Sequence, residues 1–152
     1  MRVELPDWSR MAGALAPGDY VDCFARDVGG EVPLARFVSA FFGSRMFAPE
    51  GAILRAVLGK SGDLEAFARG ETDCFAAWTV VDRDMRQLWL ADVAGATQTW
   101  LAVAPLAGKT RLFLASRVVA RSGALGWPTR ALLPVHRAYA RALLAAAVRG
   151  LR

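Results

Sequence analysis

Residues 78–100 read WTVVDRDMRQLWLADVAGATQTW, and the spacing within this stretch decides the fold. Trp78, Trp89 and Trp100 recur at one fixed interval, separated by two turn-like segments with strand-like runs on either side. With Arg83-Asp84 and Ala94-Gly95 as two-residue hairpin tips, Trp78 falls opposite Trp89 and Trp89 opposite Trp100. The three indoles then form a ladder on one face of adjacent antiparallel strands.

Strands are expected near Cys74–Asp82, Arg86–Asp92, Thr97–Pro105 and Thr110–Arg121, the last pair turning at Ala107-Gly108. Because the side-chain period of a strand is two, pairing through these turns assigns every residue to a face. One face is aliphatic, with Leu88, Leu101 and Leu114, and with Thr79, Thr99 and Ser116 as its only hydroxyls. It is expected to meet a helix. The opposite face carries the three tryptophans with Phe113, several alanines, Gln87, Gln98, Arg111 and Arg117. Such a face can line a ligand pocket or form an outer surface covered by the N-terminal segment through Trp8, and clustered tryptophans serve packing more often than binding.

Upstream, Asp19–Asp27 alternates, with Tyr20, Asp22 and Phe24 on one side, after a Pro17-Gly18 turn. This reads as a first strand. Two short helices follow, Pro33 to Gly43 and Pro49 to Gly59, each with proline near its start and glycine past its end. Lys60–Glu71 is polar and reads as a loop anchored by Leu64 and Phe67. Downstream, the longest helix runs from Thr129, its expected N-cap, to Arg149, with Gly150 as terminator. Leu132, Val135, Tyr139, Leu143 and Ala147 make its apolar stripe, and Arg130, Arg137, Arg141 and Arg152 a solvated face.

A chain of 152 residues with 55% hydrophobic content can build one core, so a single domain over 1–152 is expected without disulfide or metal staples. The charge of +5 comes from seventeen arginines and two lysines, a balance that GC-rich codons can produce. No block of basic residues or zinc-finger pattern is present, which leaves nucleic-acid binding a minor reading. No apolar run is long enough for a membrane span, and Met1–Trp8 lacks targeting character, so a cytoplasmic protein is expected. Cys23 and Cys74 are then reduced thiols, and one histidine with two cysteines cannot complete a structural zinc site, so no metal and no cofactor is implied.

The order of strand, two short helices, antiparallel meander and long C-terminal helix resembles the α+β helix-grip fold, in which a curved sheet wraps around the last helix. The stretch Thr110-Arg111-Leu112-Phe113-Leu114-Ala115-Ser116-Arg117-Val118-Val119, followed by Leu133-Pro134-Val135-His136-Arg137-Ala138-Tyr139, resembles a bacterial family of unknown function within the START-like (SRPBCC) superfamily. The resemblance runs from Asp19 onward, with fewer strands than the seven of the superfamily. It implies a hydrophobic cavity between sheet and C-terminal helix, used across the superfamily for lipids, hormones or polyketides, and in some relatives for cyclase or dehydratase chemistry.

On this basis the expected function is binding of a lipid- or polyketide-like small molecule, with a homodimer left open. The alternatives are a cyclase or dehydratase in which His136 and Tyr139 move protons, and a structural or interaction protein whose cavity is filled by its own side chains. His136 has a side chain whose ordinary pKa suits acid–base work, but no acidic partner is evident nearby in sequence, and a core imidazole bonded to a carbonyl or to Ser116 is the competing reading. Tyr139 can likewise simply pack. Trp78, Trp89, Trp100 and Phe113 are the candidate ligand-facing aromatics, with Ser116 and Arg117 as polar contacts. If buried, Arg117 needs an anion, either an acidic side chain or a ligand carboxylate. Asp82-Arg83-Asp84 looks like a metal or phosphate motif but coincides with the expected hairpin tip and reads as a turn.

Overall fold

The computed structural model describes residues 1–45, 62–92 and 94–152; the helix expected over Pro49 to Gly59 lies outside them. Among these residues, Tyr20–Gly29 (β1), Cys74–Phe75 (β2), Trp78–Arg83 (β3), Gln87–Asp92 (β4), Thr97–Leu106 (β5) and Lys109–Val118 (β6) form one sheet. Its order is β1-β6-β5-β4-β3-β2, with every described pairing antiparallel. The helices are Leu34–Phe42 (α1), Leu64–Arg69 (α2) and Trp127–Gly150 (α3). One face of the sheet packs against α1, α2 and the C-terminal half of α3 around Leu88, Leu101, Leu114, Phe37, Phe67 and Leu144. This is the helix-grip arrangement.

Two of the three hairpin registers match the sequence arithmetic. Trp89 pairs with Trp100 across β4 and β5, and Leu101 with Leu114 across β5 and β6. The first does not. The β3–β4 tip lies at Met85-Arg86, flanked by the bond from the Asp84 N–H to the Gln87 carbonyl, and a bulge between Val80 and Asp82 shifts the register. A tip displaced by two residues preserves the faces, but the one extra residue of a bulge inverts them. Trp78 therefore pairs with Asp92 and packs with Val80 against the aliphatic core, on the face opposite Trp89 and Trp100. Thr79 is moved off the aliphatic face by the same step.

The expected loop over Lys60–Glu71 contains α2. Asp63 caps it, accepting bonds from the Glu65 and Ala66 N–H groups at 3.0 and 3.2 Å, and Gly70 closes it at φ +82°, a left-handed cap that favours glycine. Its anchor Phe67 is fully buried and stacks on Phe75. α3 begins at Trp127, two residues before the expected cap; Gly126 occupies the cap position with no side-chain bond, and Pro128 sits in the first turn.

The predicted apolar stripe of α3 holds at Tyr139, Leu143 and Ala147 but not in the first turns. Leu132 and Val135 are 63% and 66% exposed, whereas the buried arc runs through Ala140, Leu143, Leu144, Ala147 and Leu151. Extending that arc one turn back places His136 toward the sheet. Leu132 and Val135 drew the expected stripe into turns that stand clear of the core, while Ala140, Leu144 and Leu151 complete the buried arc.

The outer face is closed by the N-terminal segment. Hydrogen bonds from the Val3 N–H to the Cys23 carbonyl and from the Ala25 N–H to the Met1 carbonyl, both 2.9 Å, cover the free edge of β1. Trp8 then lies over Trp100 and Phe113, with ring centroids 5.2 and 5.6 Å away, above a floor of Cys23, Ala25, Ala102 and Ala115. The small residues of β1, β5 and β6 make room for those rings.

Candidate functional site

The inner face is graded along the strands. At one end lie Phe24, Leu101, Leu112 and Leu114; at the other, Asp22, Ser116 and Thr99 form one cross-strand row, because Asp22 pairs with Ser116 and Ser116 with Thr99. All three are buried. The inward register of β1 that carries Phe24 also directs Tyr20 and Asp22 toward the helix, and α3 presents consecutive His136 and Arg137 to them.

The Tyr20 hydroxyl donates to Asp22 Oδ2 at 2.8 Å and accepts from Arg137 Nε at 2.7 Å. The same guanidinium lies 5.3 Å from the Tyr20 ring centre. Tyr20 thus couples a carboxylate to a guanidinium, and its phenol is held above its ordinary pKa by burial first and then by Asp22, against the opposing pull of Arg137. His136 Nε2 lies 3.8 Å from Asp22 Oδ2, too long for a hydrogen bond, and its ring meets that of Tyr20 edge-on. Among the described residues, Asp22 Oδ1 and His136 Nε2 are both buried without a hydrogen-bond partner, as are the Trp78 indole N–H on the same face and the Ser44 hydroxyl.

The expected site residues divide between the two faces. His136, Tyr139, Ser116 and Trp78 belong to the inner face, where Tyr139 packs against the aliphatic core. Trp89, Trp100, Phe113 and Arg117 belong to the outer face and cannot share a site with them. Trp100 and Phe113 contact Trp8. Arg117, 7% exposed, meets Asp19 at 2.6 Å and donates to Gln98 at 3.0 Å, so its anion is a side chain of the chain itself. His136 does have an acidic neighbour, Asp22. Sequence reasoning missed it, together with Tyr20 and Arg137; the available signal was an acid in the inward register of an otherwise apolar strand.

Among the described residues no group of histidine, cysteine and acidic side chains could hold a metal ion, and no helix is long and apolar enough to cross a membrane. Cys23 is buried, with its thiol pushed up to about 12 by burial and then by Asp22, and Cys74 is exposed; both are free.

No family model and no curated protein matches the chain. Among solved structures, it is similar to the crystal structure of Ara h 8.0201, at 8% identity and a TM-score of 0.38, covering 86% of this chain and 99% of that one. At that score the likeness says nothing about what the chain binds.

Proposed function

We propose that residues 1–152 form one START-like domain, related to the bacterial family that its 110–119 and 133–139 stretches resemble, which binds an apolar or amphipathic small molecule between the inner sheet face and α3. The observation that carries this reading is the pair of buried, unpartnered polar atoms, Asp22 Oδ1 and His136 Nε2, at one end of an aliphatic surface. Native proteins pair nearly all such atoms, so an orphaned pair supports a site for a polar group brought from outside. The aliphatic side chains beside them, Leu101 and Leu114 among them, are already buried against the helices, so the polar pair and not free apolar area carries the reading. Free thiols at Cys23 and Cys74 are compatible with a cytoplasmic setting.

The approach of His136 to Asp22 supports a second reading, in which His136 is the acid–base group of a cyclase or dehydratase, with Tyr139 beside it on α3. Native mass spectrometry against fatty acids, sterols and aromatic polyketides tests both. A retained ligand of unchanged mass supports binding, release of a product lighter by one water supports catalysis, and capture of nothing from any class removes both. His136→Ala should abolish capture while thermal unfolding stays cooperative. If ligand capture is unaffected, His136 has no part in the site.

A further inference from the structure

Asp22 and His136 together restrict the chemistry of what can sit between them. The Asp22 carboxylate is an acceptor only; Tyr20 occupies Oδ2, and Oδ1 still requires a donor. Its charge is already answered by Arg137 through the Tyr20 hydroxyl. His136 Nε2, in a side chain that approaches this carboxylate to 3.8 Å, can donate or accept according to tautomer. A ligand oxygen placed between the His136 ring and the Asp22 carboxylate, whose Oδ2 lies 3.8 Å from Nε2, is positioned to meet both unpartnered atoms. It must donate to Oδ1 and, where Nε2 carries the proton, accept from Nε2.

A hydroxyl meets both demands. A ligand carboxylate can accept from His136 but fails at Oδ1, since it brings no proton and places a second negative charge beside a carboxylate that has no exposed surface. An ammonium can donate to Oδ1, but it adds a cation where Arg137 already supplies one and has no lone pair for an Nε2 that carries the proton. We infer that the polar end of the inner face recognises the hydroxyl head of a neutral amphipathic molecule, an alcohol or phenol, and discriminates against the corresponding acid. This rests on the binding reading above and adds a head-group preference to it.

Calorimetric titration of the full chain with decanol, decanoate and decylamine tests the preference with the tail held constant. Decanol should bind at least about tenfold more tightly than decanoate, as expected where a buried acceptor is left unpaired by the wrong ligand. It should also exceed decylamine. Asp22→Asn, whose amide can donate to a carboxylate, should bring decanol and decanoate to within about threefold of each other. His136→Leu, on a partly exposed helix position, should weaken decanol by about tenfold without improving decanoate, and gives an answer if the first variant does not fold.

Decanoate binding as well as decanol, decylamine binding best, or an unchanged preference in both variants overturns the hydroxyl assignment while leaving small-molecule binding in place. Failure of all three probes to bind the wild-type chain overturns the assignment and the binding reading together.

Discussion

On the outer face of the sheet the indoles of Trp89 and Trp100 donate to Gln98 and Gln87, whereas on the inner face the indole of Trp78 has no partner. The contrast extends to the acids. Asp19, next to the outer face, takes Arg117 and the N–H groups of Ala16 and Ala120; Asp22, three residues along, is more deeply buried in the inner face with one oxygen unanswered. A surface whose polar atoms satisfy one another holds the fold together, and a surface that leaves them unanswered holds them ready for something else. The two faces should therefore respond oppositely to substitution.

The largest effect is expected at the centre of the sealed face. Trp100 is fully buried, and Trp100→Ala removes its ring contacts with Trp8 and Phe113 and one of the two donors to Gln87 Oε1, so chemical denaturation should show a loss of about 4 kcal/mol. A loss below about 1 kcal/mol would mean that the outer face is not a core.

Next in size is Arg117→Met, which leaves Asp19 buried without its cation and should destabilise by about 3 kcal/mol at neutral pH. The effect must depend on pH. Burial alone would raise the Asp19 carboxyl, but the Ala120 and Ala16 N–H groups and the Arg117 guanidinium outweigh it and hold it below the ordinary range. A folded-state value below the unfolded one means stabilisation that is complete above the ordinary range and lost as pH falls through the depressed value. The difference between wild type and Arg117→Met should accordingly shrink in acid. A difference constant with pH would place the effect in packing of the arginine stem.

Trp8→Ala should cost less, about 1–2 kcal/mol, since Trp8 is itself 48% exposed. Its sharper signature is local, a gain of dye binding at the uncovered Trp100 and Phe113. Failure of the dye to bind would show that the N-terminal segment does not depend on this residue to close the face.

These differences explain which parts of the molecule were legible in sequence. The β4–β5 and β5–β6 hairpins were readable because Ala94-Gly95 and Ala107-Gly108 carry turn chemistry at the tip, and Gly95 and Gly108 do adopt φ of +67° and +68°. At β3–β4 the tip falls on Met85-Arg86, which carries no such mark; Asp84 makes the turn from beside it by accepting from the Arg86 and Gln87 N–H groups. The bulge at Val81 left as its signal only the broken alternation of Val80-Val81, and it alone carried Trp78 to the other face. Asp63 and Gly70 did mark α2, but one polar turn and a half resembles a loop when read for composition. The candidate site was half legible: His136 stood out as the lone histidine, while Asp22 and Tyr20 became its neighbours only through a contact between the first strand and the last helix.

The smallest stability change is expected at Asp22, the residue whose loss should matter most for binding. Asp22→Asn keeps the shape and can still accept from Tyr20, yet it removes a buried charge and gives the inner face an amide in place of an unanswered oxygen. The loss of attraction to Arg137 through Tyr20 opposes that gain, so the net change should lie within about 1 kcal/mol of zero. Sites kept for function commonly sit below the stability their sequence could reach. Denaturation and ligand titration of the same Asp22→Asn preparation decide the matter. Unchanged stability with altered head-group preference separates the inner face from the outer one, whereas a loss comparable to that of Arg117→Met would make Asp22 another structural acid and erase the distinction between the faces.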